Sequence, residues 1–252
     1  MIFTWFRKRR RARLLREPFP TAWAALLDNL DFVTRFDAEE RERFEGLVRI
    51  LVDQIYWDGR DGLEVTDEMR VTIAAQACRL TLHLPAEAYR RARTLYLFPA
   101  TYSAPGSTAD GVQAEGRSQR HGEAWLRGPI VLSWDAARHG IAIEHDGRNV
   151  VYHEFAHKLD MLDGYADGVP PLPNRKSLGI WNDVTEREYE SLVDAARRGK
   201  KTLLDKYGAT NRAEFFAVAT EMFFERPGRL KERHRDLYGC LARFYRQDPD
   251  PR

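Results

Sequence analysis

The sequence predicts an α+β fold that is mainly helical, with a small mixed β-sheet beside one histidine-bearing helix. Apolar residues recur at three- and four-residue spacing through most of the chain, which is typical of amphipathic helices. Two short runs, residues 95–98 and 130–134, are instead apolar and rich in β-forming residues, and each is bounded by proline or glycine. We expect these strands, set between helices, to belong to one sheet.

The composition excludes several classes of protein. The 252 residues include 40 lysine and arginine against 38 aspartate and glutamate, so a uniformly basic nucleic-acid coat and an acidic disordered chain are both excluded. A hydrophobic content of 43% is enough for a buried core, and no apolar run approaches the ~18 residues of a membrane span. Cys78 and Cys240 lack the spacing of a disulfide framework or a thiolate metal site. We therefore expect a cytoplasmic protein without a membrane span.

Positive charge is concentrated near the start of the sequence. Residues 7–16, RKRRRARLLR, contain seven basic side chains and no acid. We expect a basic N-terminal arm over 1–20 and a single domain over 21–252. Within that domain, we expect a helical scaffold at 21–94 and a catalytic core at 95–252. One hypothesis for 7–16 is weak contact with anionic lipid or nucleic acid, helped by Trp5 and Phe6; the alternative is a solvated tail.

Helices are predicted on both sides of the strands. Asp37 is expected to cap the first long helix, with Glu40 three residues later completing a capping box. A second helix is predicted over 67–82, before Pro85 interrupts it. Residues 101–123 are polar and rich in glycine and serine, so we expect them to be the least ordered internal segment. Further helices are predicted over 147–163, 183–197, 212–225 and 230–245.

The chemically informative residues are His153, Glu154 and His157, which form an HExxH sequence inside the helix predicted over 147–163. A spacing of four residues puts both imidazoles on one helical face, where they can bind one tetrahedral metal ion. Glu154 lies about 100 degrees around the helix from His153, where its carboxylate can take a proton from water at the metal. This is the arrangement that a zinc hydrolase needs. The alternative is a surface helix with two ordinary histidines.

A catalytic zinc commonly has three protein ligands, and two residues compete for the third position. Asp163 lies six residues after His157, which nearly fits metzincin spacing, but Asp160 occupies the place where glycine would let the helix turn. The other candidate is Glu214, near the start of a predicted helix whose apolar residues would pack it against the HExxH helix. Spacing alone leaves both candidates open.

Three segments carry a resemblance to a known family. They are GEAWLRGPIVLSWD at 122–135, GRNVVYHEFAHKLDMLDG at 147–164 and YGATNRAEFFAVATEMFFERP at 207–227. With weaker similarity over most of the chain, the sequence resembles the Mlc titration factor A family of bacterial zinc-dependent peptidases. That family is similar in its catalytic core to anthrax lethal factor, and both are gluzincins. The resemblance therefore implies a gluzincin-like metallopeptidase fold.

Carried over to this sequence, the resemblance implies one Zn²⁺ per chain, bound by His153, His157 and Glu214. It also implies Glu154 as the general base. Tyr207, seven residues before Glu214, would supply the hydroxyl that stabilises the transition-state oxyanion.

Further residues are expected to support the ligands. Glu221 lies seven residues after Glu214, on nearly the same helix face, and can hold a ligand imidazole by its other nitrogen. Asp160 lies seven residues after His153 and therefore on nearly the same helix face. It can hydrogen-bond a ligand imidazole, or it is a solvated acid near the helix end. Residues 128–134 would supply a sheet edge to which an extended peptide can pair, or they form a plain core strand.

Two functions are consistent with these residues and the resemblance. The first is a zinc-dependent peptidase that acts on a peptide or protein substrate through water activated by Glu154; the resemblance favours aminopeptidase activity. The second is a protein-binding regulator that sequesters a transcriptional repressor of the Mlc type, with a zinc site that is mainly structural or gated. The two need not exclude each other, because partner binding can open or deform an active-site cleft.

Overall fold

The computed structural model describes residues 2–100, 128–142 and 146–250. The described helices are α1 (Ile2–Leu14), α2 (Thr21–Asp28), α3 (Ala38–Gln54), α4 (Asp67–Thr81), α5 (Trp134–Ala142), α6 (Val150–Asp160), α7 (Arg175–Arg197), α8 (Arg212–Glu225), α9 (Pro227–Arg233) and α10 (Arg235–Tyr245). The described strands are β1 (Tyr56–Gly59), β2 (Thr94–Phe98) and β3 (Ile130–Ser133). Short 3-10 helices occupy Val33–Arg35 and Lys206–Ala209. The protein is therefore mainly helical with a small sheet, as predicted.

The described strands form one parallel sheet in the order β1, β2, β3, with Trp57 paired to Leu95 and Leu95 to Ile130. Our expectation of a mixed sheet is wrong for these strands. The pairing of β1 and β2 is parallel because α4, which connects them, returns the chain to the end of the sheet at which β1 begins. The sequence does not predict β1, because its four residues, YWDG, end in an Asp-Gly pair that is typical of turns.

Local helix signals in the sequence are confirmed. The Asp37 side chain accepts a hydrogen bond from Glu40 N at 2.9 Å, and the Glu40 side chain accepts one from Asp37 N at 3.3 Å, which completes the capping box. Both α4 and α8 lie within one residue of their predicted bounds. None of the described helices combines the length and the apolarity needed to cross a bilayer.

Two expectations for longer segments have different outcomes. The helix predicted over 230–245 is divided into α9 and α10 at His234, whose backbone leaves the helical conformation. The ring of His234 instead lies with Nδ1 2.7 Å from Glu188 Oε2 on α7. The expectation for residues 101–123 lies outside the described residues.

The basic residues near the start of the chain lie mostly in α1, which packs against α3. Arg49 of α3 is buried, and its guanidinium donates to the carbonyl oxygens of Leu14 and Glu17 at 2.6 Å each, and to that of Pro18. The carbonyls at a helix end have no partner within the helix, so this arginine stabilises the carboxyl end of α1. The segment is thus a docked helix, and the division between 1–20 and 21–252 stays a prediction.

The centre of the molecule is the contact between α6 and α8. Every residue of α8 from Phe215 to Glu225 is buried. Helices α4 and α5 and strand β3 also contact α6, so the sheet lies beside the HExxH helix as predicted. A helix that is enclosed on all sides must be apolar around its circumference, which explains why α8 shows no clear polar face.

Gly168 connects three helices of this central region. Its N–H donates to Asp160 Oδ2 at the end of α6 at 3.0 Å, and its carbonyl accepts from Trp181 Nε1 on α7 at 3.1 Å. A Cβ atom at this position would lie 2.3 Å from the backbone oxygen of Arg212, the first residue of α8. The backbone φ is +78°, which favours glycine. Both the conformation and the close approach therefore require glycine here.

We predict that Gly168→Ala destabilises the protein more than Gly199→Ala does. Gly199 also has positive φ, at +66°, but a Cβ there meets nothing within 4 Å. Both variants incur the strain of the left-handed conformation, about 1–2 kcal/mol, and only Gly168→Ala also pushes against backbone. Urea unfolding should show a loss of about 3 kcal/mol or more for Gly168→Ala. Equal losses in the two variants would contradict this account.

Candidate metal centre

Asn149 determines where α6 begins. Its side-chain oxygen accepts hydrogen bonds from Val151 N and Tyr152 N, both at 3.1 Å, so it caps the helix. Its side-chain nitrogen donates to Gln76 Oε1 at 2.9 Å and to the carbonyl of Gly140 at 3.2 Å. These contacts attach the first turn of α6 to α4 and α5 and position the two histidines that follow.

The structure brings His153, His157 and Glu214 together. Nε2 of His153 lies 3.0 Å from Glu214 Oε2, and Nε2 of His157 lies 3.3 Å from the same oxygen. One ligand atom from each of the three residues lies within 4.8 Å of the others. Both histidines are buried, with 5% and 6% of their surface exposed. The spacing of four residues thus places both imidazoles on one face of α6, pointing at one carboxylate.

Glu214 lies in the first turn of α8, where Asn211 caps the helix by accepting a hydrogen bond from Glu214 N at 3.0 Å. The structure does not bring the other candidate ligand to the cluster. Asp163 lies beyond the end of α6, is exposed, and accepts a hydrogen bond from Tyr165 N at 3.0 Å. Of the two alternatives that spacing left open, the geometry favours Glu214.

Glu221 holds His153 from the side opposite to Glu214. Its Oε1 lies 2.7 Å from His153 Nδ1, and its Oε2 accepts a hydrogen bond from Asn149 N at 2.7 Å. This is the contact that the seven-residue spacing from Glu214 suggested. A carboxylate on the second nitrogen fixes the ring orientation of a metal-ligating histidine and makes it a more basic ligand.

Burial and pairing between the histidines and the carboxylates have opposite effects on the pKa values of the cluster. Burial alone would lower the pKa of His153, but its hydrogen bonds to Glu214 and Glu221 outweigh that effect and raise the pKa well above its ordinary value. Burial alone would raise the pKa of Glu214, but hydrogen bonds from His153 and His157 lower it. The His153 imidazole and the Glu214 carboxylate thus stabilise each other's charged form.

This donor set fits a zinc ion. Two imidazole nitrogens and one carboxylate oxygen are a common catalytic zinc ligand set. Ligands about 2.1 Å from a tetrahedral ion lie roughly 3.4 Å apart. The separations of 3.0 Å and 3.3 Å from Glu214 Oε2 to the two imidazoles are close to that value. These two separations are therefore compatible with one ion bound by the three residues.

Glu154 is partly exposed and adjoins the first of the two histidines. Burial raises the pKa of its carboxyl group and outweighs the opposing effect of the two imidazoles. A carboxylate whose pKa is raised toward neutrality is better matched to accept and return a proton than an ordinary glutamate. Its environment therefore suits a general base.

Tyr207 lies in the short 3-10 helix Lys206–Ala209, which packs against α8. The centre of its ring is 6.0 Å from that of His153. Asp205 holds this segment, because its carboxylate accepts hydrogen bonds from Tyr207 N and from the Arg148 guanidinium, both at 2.9 Å. The ring of Tyr207 thus lies beside the histidine cluster. Arg148, which directly precedes Asn149 and the HExxH helix, helps to hold the Tyr207 segment through Asp205.

Asp160 is fully buried, so the alternative of a solvated acid is wrong. Its Oδ2 accepts from Gly168 N, and the nitrogen of His153 that it could have held is bonded to Glu221. Within the described ranges, neither Asp160 Oδ1 nor His157 Nδ1 has a hydrogen-bond partner, although both are buried. Asp160 therefore anchors the loop after α6, and its expected hydrogen bond to a ligand imidazole is absent among the described residues.

Sequence reasoning missed two residues on which the site depends, Asn149 and Asp205. Asn149 directly precedes the apolar-periodic run of α6, which is a standard cap signal, so it could have been found. Asp205 bonds to Arg148 across 57 positions, and no local pattern predicts such a contact.

Comparisons with known proteins agree on one family. The model of the glucose-regulated metallo-peptidase M90 family matches residues 4–246. An uncharacterized protein of Synechocystis sp. is 37% identical over 244 residues, which cover 95% of this chain and 89% of the relative. Mlc titration factor A of Serratia proteamaculans is 32% identical over 87% of this chain and 85% of its own length. Mlc titration factor A of Yersinia pestis is 30% identical over 88% of this chain and 83% of its own length. The resemblance to the Mlc titration factor A family, stated from the sequence, is confirmed.

We predict that Asp160 makes stability depend on pH. Burial raises the pKa of its carboxyl group to about 7 from an ordinary value of 3.8. Because the folded pKa is above the unfolded one, the folded state binds more protons between about pH 4 and pH 7, and stability falls as pH rises through that window. Asp160→Asn removes the charge and keeps an oxygen for Gly168 N.

Urea unfolding of both proteins in the presence of a chelator, which keeps the metal content constant, measures this effect. The free energy of unfolding of the variant relative to wild type should rise by up to about 4 kcal/mol between about pH 4 and pH 8. A difference that stays constant over this range would show that Asp160 does not titrate with a raised pKa.

Proposed function

The chain belongs to the glucose-regulated metallo-peptidase M90 family, and we propose that it hydrolyses peptide bonds with one zinc ion bound by His153, His157 and Glu214. One observation carries this proposal: Nε2 of each histidine of the HExxH motif points at the same Glu214 oxygen, at 3.0 Å and 3.3 Å. The Glu221 contact to His153 adds the supporting carboxylate that catalytic zinc sites use.

In the proposed reaction, Glu154 moves the proton. A bound zinc ion would polarise the substrate carbonyl and lower the pKa of a water molecule. Glu154 accepts the proton of the attacking water, for which its raised pKa and its position next to His153 suit it. The same carboxyl group then donates that proton to the leaving amine, so the residue is regenerated after each turnover.

Tyr207 is proposed to donate a hydrogen bond to the negative charge that develops on the carbonyl oxygen. The ring lies beside His153, and Asp205 holds its backbone in place. A donor that is already oriented costs no rearrangement during the reaction, so it stabilises the transition state more than the substrate.

The substrate is proposed to be a peptide or protein that lies along β3. This strand is at one end of the described sheet order and contacts the HExxH helix. An extended peptide could add to it as a further strand and so reach the metal centre. Aminopeptidase activity is proposed from the resemblance to the Mlc titration factor A family. The buried, free thiols of Cys78 and Cys240 agree with a proposed cytoplasmic location.

A second function is proposed from the relatives in Serratia proteamaculans and Yersinia pestis, which are named Mlc titration factor A. By this proposal the chain binds and sequesters a transcriptional repressor of the Mlc type. The alternative to the peptidase is a regulator of this kind whose zinc site is structural or gated. Mlc binding that persists without metal, with no hydrolysis under any condition, would favour the regulator.

We predict that Glu154→Gln abolishes hydrolysis and keeps the metal. The amide can occupy the same space but cannot accept a proton, so cleavage should fall by about 10³-fold or more. Glu214→Gln is the matched control, because it makes the same chemical change at a proposed ligand and should weaken metal binding. Mass spectrometry of a mixed peptide library measures cleavage, and elemental analysis measures bound zinc.

The cleavage products also test the proposed specificity. Loss of single N-terminal residues would support an aminopeptidase, and internal cuts would contradict that part of the proposal. A Glu154→Gln protein that is fully active would overturn the mechanism.

We predict that Tyr207→Phe lowers kcat by about 100-fold with little change in KM, because one donor to the developing oxyanion is lost. Tyr165→Phe is the control, since Tyr165 is 69% exposed. Steady-state kinetics on a peptide found in the library measures both constants. A change in KM alone would assign Tyr207 to substrate binding.

A further inference from the structure

Helix α1 is held on the body of the protein in a defined orientation. Arg10 pairs with Asp53 of α3 at 2.7 Å, and Arg11 donates to Gln54 at 3.0 Å and to Glu87 at 3.3 Å. Together with the Arg49 contacts to the end of the helix, these bonds use one side of α1. The opposite side of the helix must therefore face outward.

The outward side and the turn that follows it carry two aromatic and three basic side chains. At 100 degrees per residue, Trp5, Phe6, Arg9 and Arg13 all project from the side away from Arg11, and Arg16 lies in the turn after the helix. Trp5 is 54% and Phe6 58% exposed, and the three arginines are exposed as well. Below, these five residues are called the α1 outer face.

Among the described residues, no ion pair involves an arginine of this face. The guanidinium of Arg9 lies 5.1 Å from the centre of the Trp5 ring. For Arg13 and Arg16, the described part of the chain offers no carboxylate in ion-pair contact. The arginines that do pair are Arg11, which faces the body, and Arg10, which lies at the edge of the outward side with 61% of its side chain exposed. The α1 outer face therefore combines exposed aromatic rings with positive charge that no carboxylate of the described residues pairs.

We propose that the α1 outer face docks onto a membrane surface that contains anionic lipids. Guanidinium groups bind lipid phosphates in a bidentate way, and the rings of Trp5 and Phe6 can enter the headgroup region, where aromatic side chains are favoured. The helix would lie in the plane of the interface while the body stays in water. The face is carried by α1 and the metal centre by α6 and α8, so this proposal is independent of the proposed peptidase activity.

The arrangement of the rings favours lipid over nucleic acid. Bases bind by stacking on flat, open aromatic faces. Here Phe6 meets Trp5 edge to face, with ring centres 5.0 Å apart and planes at 80°, and Arg9 lies over the Trp5 ring. A base would have to displace these contacts before it could stack, whereas insertion among headgroups needs no open ring face.

Vesicle sedimentation of the full chain tests this proposal. The probes are vesicles of phosphatidylserine and phosphatidylcholine in about a 3:7 ratio, and vesicles of phosphatidylcholine alone. Wild type should bind the anionic vesicles, bind the neutral ones far less, and lose affinity as salt rises. The variant Arg9→Gln/Arg13→Gln/Arg16→Gln should lose affinity by on the order of 100-fold.

The matched control is Arg175→Gln/Arg197→Gln/Lys200→Gln, which removes three exposed positive charges elsewhere and should bind as wild type does. Thermal melts check that all variants are folded. A second variant, Trp5→Ser/Phe6→Ser, keeps every charge and should bind several-fold more weakly than wild type if the rings enter the interface.

Three outcomes would overturn the proposal: equal loss in the control and the α1 variant, no preference for anionic vesicles, or wild-type affinity in both α1 variants. Binding of wild type to a single-stranded oligonucleotide, lost in the arginine variant, with no binding to anionic vesicles, would assign the α1 outer face to nucleic acid instead.

Discussion

The carboxylate of Glu221 is the contact on which the candidate site depends most. One of its oxygens holds the ring of His153, and the other accepts the backbone N–H of Asn149, the residue that caps α6. A single side chain of α8 therefore holds both the residue that caps the HExxH helix and the ring of its first histidine. Because the carboxylate is buried between the two helices, it can keep these bonds without competition from water.

The position of Glu214 depends on a second set of contacts at the start of α8. Asn211 caps the helix, and Gly168 allows the backbone at Arg212 to approach the loop that follows α6. The same loop is bonded to Asp160, three residues after His157. Helices α6 and α8 are thus connected at two places. Glu221 connects them directly, and Gly168 connects the end of α6 to the start of α8.

Local signals predicted much of this structure, and contacts distant in sequence account for most of what was missed. The HExxH spacing and the Asp37–Glu40 capping box depend on neighbours within one helical turn, so their geometry follows from the sequence. The parallel order of the strands, the burial of Asp160 and the bond from Arg148 to Asp205 depend on how elements pack. Glu221 was predicted in part. The sequence indicated that it lies on the same helix face as Glu214 and can hold a ligand histidine, but it did not indicate which of the two histidines.

His153 lies between two carboxylates, with Nε2 3.0 Å from Glu214 Oε2 and Nδ1 2.7 Å from Glu221 Oε1. Although burial alone would lower the pKa of this imidazole, its bonds to the two carboxylates raise it. A histidine nitrogen binds a metal ion only in its unprotonated form, so a proton and a metal ion compete for Nε2. Acidification of the surroundings should therefore weaken metal binding by the proposed ligands.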